Sequence, residues 1–155
     1  MSAGETVERR DTDGVEIRRV RDSLELASAV ALRRRVFCDE QGVPVSDEVD
    51  GRDPDGLHLV AAEHGSVIAA CRLIFSGSTA QFSRLAVEAS ERRRGIASLM
   101  LAQAETEARR AGSKRIVLHA QTYATPLYEA AGYVARGAVF RDAGIEHIAM
   151  EKRLA

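Results

Sequence analysis

The chain has 155 residues, enough for one domain that buries roughly 68–70% of its unfolded surface without disulfides or metals. Hydrophobic residues make up 45% and charged residues 29%, and 22 basic against 23 acidic side chains leave a formal net charge of −1. That balance excludes a whole-chain polycation built to coat nucleic acid or anionic lipid, although all basic residues except Lys114 and Lys152 are arginine and their placement still matters.

Residues 1–14 are polar and aperiodic and read as a flexible N-terminal tail, ahead of a single domain over 15–155. Val15 to Val20 alternates apolar and charged, as a half-buried strand does. Ser23 suits an N-cap, and Leu24, Ala27, Val30, Ala31 and Phe37 then fall on or near one helical face. Arg33-Arg34-Arg35 falls in the last turns of that helix, where cations suit the dipole. From Cys38 to Pro54 the chain is acidic and carries Gly42, Pro44, Gly51 and Pro54, so it reads as a long loop or broken helical turn. Loops of that length inside a domain are usually functional.

Leu57–Glu63 and Ser66–Phe75 are strand-like runs joined by a tight turn at His64-Gly65, and Ala80–Val87 extends them into a meander. Gly95 to Ala111 is the most helical stretch, with Ile96, Leu99, Met100, Ala104, Ala108 and Ala111 on its apolar face and Gly112 as its stop. Arg115–Ala120 is a short buried strand. Thr125-Pro126 opens a short helix that stops at Gly132. Tyr133–Val139 and Ile145–Lys152 close the chain as two strands that turn near Asp142-Ala143-Gly144. The strand–helix–strand unit over 80–120 predicts a parallel pair. The whole is an α/β (α+β) fold with helices on both faces of a mixed sheet.

Arg92-Arg93-Arg94-Gly95-Ile96-Ala97 stands between a strand and a long helix. A helix start offers unpaired backbone N–H groups and the positive end of the macrodipole, Gly95 allows close approach, and the arginines add charge. The segment fits either a phosphate or pyrophosphate site or a solvated basic turn. It lacks the three glycines of a dinucleotide fingerprint and the Gly-Lys-Ser/Thr ending of a P-loop.

The pattern R-x-x-G-x-A after Arg84-Leu85-Ala86-Val87 resembles the acetyl-CoA motif of the GNAT N-acetyltransferases. Gln121 through Tyr133, with Ala124, Leu127-Tyr128 and Gly132-Tyr133, is similar to that family's second signature. Arg35-Val36-Phe37, Glu40-Gln41-Gly42-Val43-Pro44, Glu48, Asp50, Asp53 and His58 resemble the ElaA-like branch. So do His119-Ala120-Gln121 and Gly144 through Met150, with Glu146 where that branch usually has proline. The resemblance spans residues 15 to 154.

It implies a GNAT fold: a central twisted sheet of six to seven strands whose parallel pair splays at the cofactor site. Acetyl-CoA would be the co-substrate, with no metal. Leu85, Ala86 and Val87 would pair with the pantetheine arm. The amides of Arg93, Arg94, Gly95, Ile96, Ala97 and Ser98 would hold the pyrophosphate, with Arg92 supporting the loop or the phosphates. Gln121 would stand near the pantetheine or the sheet split. Tyr128 would be the general acid that protonates the departing thiolate, with Tyr123 as its rival. The strand before Leu85 carries Gln81, Ser83 and Arg84 and no carboxylate to serve as base. Glu48, Asp50, His58, His119 and His147 are the candidates, of which His119, acting through a water, is favoured. Glu48, Asp50, His58 and His147 are also the candidate acceptor-binding residues. The acidic 38–54 segment reads either as a solvated loop or as a wall that attracts a cationic amine.

The function expected is transfer of an acetyl group to a primary amine of a small molecule. The alternative is a non-catalytic acyl-CoA-binding or sensing protein of the same fold. An acyl-homoserine-lactone synthase shares the fold but fits the pyrophosphate loop and short chain less well, and nucleic acid is disfavoured by the acidic loop. Cys38 and Cys71 form neither a disulfide framework nor a zinc spacing, and the chain opens on polar residues with no apolar run long enough to span a bilayer. A cytoplasmic protein without membrane or metal partners, possible as a homodimer, is the corresponding expectation.

Overall fold

The computed structural model describes residues 12–155. The expected tail falls mainly on residues 1–11, outside the described residues; Val15 N–H donates to the Thr12 carbonyl at 3.1 Å as the chain turns into the first strand. The elements in chain order are β1 (Glu16–Arg19), α1 (Ser23–Arg33), α2 (Val45–Glu48), β2 (Leu57–Glu63), β3 (Ser66–Ser76), β4 (Thr79–Val87), α3 (Ile96–Arg110), β5 (Arg115–Gln121), α4 (Thr125–Ala130), β6 (Val134–Asp142) and β7 (Ile145–Arg153). One seven-stranded sheet has the order β1-β2-β3-β4-β5-β7-β6. All its neighbours are antiparallel except β4 and β5, the parallel pair expected from the crossover through α3. Two of the three two-residue hairpins turn on residue pairs at positive φ, His64-Gly65 and Ala143-Gly144, the geometry that matches strand twist.

Strand alternation sends side chains to two cores. On one face Leu59, Leu73, Phe82 and Leu118 pack against Met100, Leu101 and Ala104 of α3 and Tyr128 of α4. On the other, Val60, Ala70 and Ala86 pack against Ala29, Leu32 and Val36 from α1 and its continuation.

Three local expectations need correction. The N-cap of α1 is Asp22, whose carboxylate accepts from the Glu25 amide, and Ser23 is already the first helical residue. The inward stripe of α1 runs through Ala29, Leu32 and Arg33 and on to Val36, whereas Leu24 is 79% exposed and Ala27 and Ala31 face solvent. The apolar spacing misleads here because one member of the true stripe is an arginine. Arg33 does stand in the last turn of α1, but it is buried there by ion pairs with Glu48 and Asp53. In α3, Leu99 is 40% exposed and Leu101 takes the inward place. The helix after Arg33 continues as π-helical turns over Arg34–Glu40, and the 38–54 segment that follows folds into α2 and a 3₁₀ turn at Asp53–Asp55.

Candidate active site

The sheet opens where β4 and β5 part. Their parallel register runs only from Thr79–Arg115 to Phe82–Leu118, yet β4 continues to Val87 and β5 to Gln121. The cause is visible on the other edge of β4. Ser83 pairs with Arg72 and Ala86 with Ala70, so Arg84 and Leu85 together oppose Cys71. Arg84 takes φ 59°, a left-handed conformation, and this bulge deflects the strand from β5.

A cavity of about 480 Å³ occupies the opening, between Leu85, Ala86 and Val87 on one side and Leu118, His119 and Gln121 on the other. A smaller one of about 200 Å³ adjoins it at the start of α3, lined by Arg92, Arg93, Gly95, Ile96, Ala97 and Ser98. Arg93 and Gly95 both have positive φ, 66° and 78°, and Gly95 is the N-cap of α3. Left-handed residues before a helix start turn successive amides into a concave anion site. The arginine side chains are mostly occupied. Arg92 donates to the Val87 carbonyl and pairs with Glu40, and Arg94 pairs with Glu63 and Glu91. Arg92 thereby ties the end of β4 to Glu40 in the segment after α1.

Tyr128 lines the cavity from α4, only 7% exposed, and its ring meets Phe82 and Tyr133 edge-on. Burial pushes its phenol well above the ordinary tyrosine value, so the hydroxyl keeps its proton at neutral pH. Tyr123 also lines the cavity but is 74% exposed. Gln121 donates to the Gln41 side chain at 2.8 Å, tying the end of β5 to the segment after α1. His119 and His147 both line the cavity; His119 is exposed and meets Phe140 edge-on at 5.0 Å, and His147 stacks on that ring.

Part of the acidic segment is matched from beneath, while Asp39, Glu40, Asp47 and Asp55 stay exposed. Glu48 is buried and accepts from Arg33 at 2.6 Å. Asp53 accepts from Arg33 and Arg72, and Asp50 from Arg72 and Arg84. Three carboxylates are thus matched by three arginines beneath the loop. The Arg72 hydrogen bond holds the Asp50 carboxyl well below the usual carboxylate range. His58 is buried, its Nε2 2.8 Å from the Asp53 carbonyl. Of the four candidate acceptor-binding residues, Glu48 and His147 reach the cavity wall, while Asp50 and His58 do not. Sequence reasoning missed Arg72, Arg84 and Gln41 as organisers of this wall. No local sequence signal marks them; in the structure Gly56 leaves room for Arg72, since a Cβ there would lie 2.8 Å from Arg72 Cγ. Cys71 is buried and its thiol pKa raised by burial, as a small apolar residue. No helix among the described residues is long and apolar enough to cross a membrane, and no group of His, Cys, Asp or Glu among them is placed to hold a metal.

Residues 27–154 match the family model described as an acetyltransferase (GNAT) domain. A Bacillus subtilis relative, the uncharacterized N-acetyltransferase YjcF, is 32% identical over 129 residues, covering 83% of this chain and 92% of its own length. Among solved structures, Escherichia coli ElaA superimposes with a TM-score of 0.81 at 22% identity over 89% of this chain and 99% of ElaA. A GNAT family acetyltransferase from Elizabethkingia anophelis, solved with acetyl-CoA bound, superimposes with a TM-score of 0.72 at 16% identity over 92% of this chain and 99% of that one.

Proposed function

This chain belongs to the GNAT acetyltransferase family, and we propose that it transfers the acetyl group of acetyl-CoA directly to a primary amine of a small molecule. One observation carries the reading: the opening between β4 and β5 ends at the left-handed amide turn before α3 and holds a buried, protonated phenol at its wall. The residues present fit acetyl-CoA. Leu85, Ala86 and Val87, released from β5, have backbone groups to pair with a pantetheine arm. The amides of Arg93 through Ser98 suit a pyrophosphate, with the α3 dipole behind them. A bound thioester supplies an acyl carbon open to an amine and a leaving thiolate.

Tyr128 is the proton donor for that thiolate. Burial leaves the phenol protonated, so its O–H can hydrogen-bond and then protonate a thiolate that develops beside it. A histidine on the opposite wall takes the proton that the amine must lose. Tyr128→Phe tests the assignment: kcat falls about a hundredfold while acetyl-CoA affinity, read by calorimetry, is nearly unchanged. CoA release from the wild type across a panel of primary amines tests the reaction class. Acetyl-CoA binding without turnover of any amine would instead mark a binding or sensing protein.

A further inference from the structure

Sequence reasoning favours His119 as the base, on the strand beside the opening. We infer instead that His147 is the general base for the acceptor amine; the inference rests on the acetyltransferase reading above. His147 Nδ1 lies 2.8 Å from the Ile145 carbonyl oxygen. A carbonyl only accepts, so Nδ1 carries the hydrogen, and in the neutral ring the lone pair stands on Nε2. The ring is also held flat against Phe140, with centroids 5.8 Å apart and planes at 23°. A base needs this kind of orientation: one nitrogen anchored, the other left to accept. His119 has no such anchor. It is exposed, its ring makes no hydrogen bond among the described residues, and it touches Phe140 only edge-on.

Register places His147 suitably. It pairs with Gln121 on β5 and with Phe140 on β6, so these side chains share a face. That is the face from which Gln121 reaches Gln41. Tyr128 belongs to the core on the other face, with Leu118 and Ala120. Base and acid thus meet the opening from opposite faces. The acceptor nitrogen bonds to the acetyl carbon as the carbon–sulfur bond breaks. The nitrogen's proton passes to His147 Nε2, and the thiolate receives one from the Tyr128 hydroxyl. Amide and free thiol result, and solvent returns both side chains to their starting forms.

The charged and titratable groups that line the cavity with His147 are His119 on β5, Asp142 at the hairpin, Asp47 and Glu48 by α2, Arg84 on β4, Arg92 before α3, and Tyr123 and Tyr128. The deciding experiment compares His147→Asn, His147→Gln and His119→Gln. Asparagine keeps a donor for the Ile145 carbonyl and removes the base, so the local fold is preserved. The expected result for both His147 variants is a fall in kcat/KM of about a hundredfold or more and loss of the acid-side limb that protonation of the base gives the pH–rate profile, with acetyl-CoA affinity within twofold of wild type. His119→Gln keeps the limb. Independently of turnover, nitrogen NMR shows the Nδ1-protonated tautomer at His147 in the ligand-free protein. A limb that survives both His147 substitutions, or an Nε2-protonated ring, overturns the assignment and leaves the acetyltransferase reading standing. Failure of the wild type to acetylate any amine while binding acetyl-CoA overturns both.

Discussion

Replacing Glu48 by glutamine separates a structural carboxylate from an acceptor-binding one. Glu48 is 2% exposed, and one of its oxygens receives the Arg33 Nε–H at 2.6 Å while the other has no hydrogen-bond partner. Arg33 is 1% exposed. Removing one charge of such a pair strands the other in a poorly solvated place, which costs about 3–5 kcal/mol. Asp53, 3.0 Å from Arg33 Nη1, retains part of the compensation and places the expectation at the lower end, about 3 kcal/mol. At roughly 2–4 °C per kcal/mol for a domain of this size, Tm falls by roughly 6–12 °C. Calorimetry at pH 7 reads this without any acceptor. The double substitution Arg33→Met with Glu48→Leu recovers most of the loss, because an apolar pair of similar volume has no charge to strand. A Tm within a degree or two of wild type for Glu48→Gln, joined to a large rise in acceptor KM, would refute the reasoning and make Glu48 an acceptor ligand.

Gly56→Ala brings a Cβ to 2.8 Å from Arg72 Cγ, displacing that side chain from Asp50 and Asp53; a loss of about 1–3 kcal/mol in denaturant unfolding is expected. Gly95→Ala meets no neighbour within 4 Å, but φ 78° strains any side chain, so about 1–2 kcal/mol of stability and a several-fold loss of acetyl-CoA affinity are expected by calorimetry. The Arg72 hydrogen bond depresses the folded-state pKa of Asp50, so its contribution is complete above the unfolded value of about 3.9 and is lost as pH falls toward the folded one. Urea midpoints measured below pH 4 should therefore drop less steeply for Asp50→Asn than for wild type.

Much of the cofactor side was legible in the chain itself. Gly95 before a long amphipathic run, three arginines ahead of it and Tyr128 after Thr125-Pro126 are local signals, and local signals survive without knowledge of the fold. The parallel pair also followed from element order. The acceptor side was not legible in this way. Seven acidic residues between Asp39 and Asp55 look like a solvated or cation-attracting loop until Arg33, Arg72 and Arg84 are seen beneath them, from positions far away along the chain. The same arginine misplaced the inward face of α1.

The sequence by itself determined most of the elements, their order and the glycine turn before α3, because propensity, periodicity and capping act over a few neighbouring residues. Only the tertiary structure decided which charges are matched, where β4 leaves β5, and which histidine is held with a free nitrogen. Those depend on contacts between distant segments. The bulge at Arg84 is set by pairing with β3, and the His147 tautomer by a carbonyl and a ring that the β6–β7 hairpin brings against it.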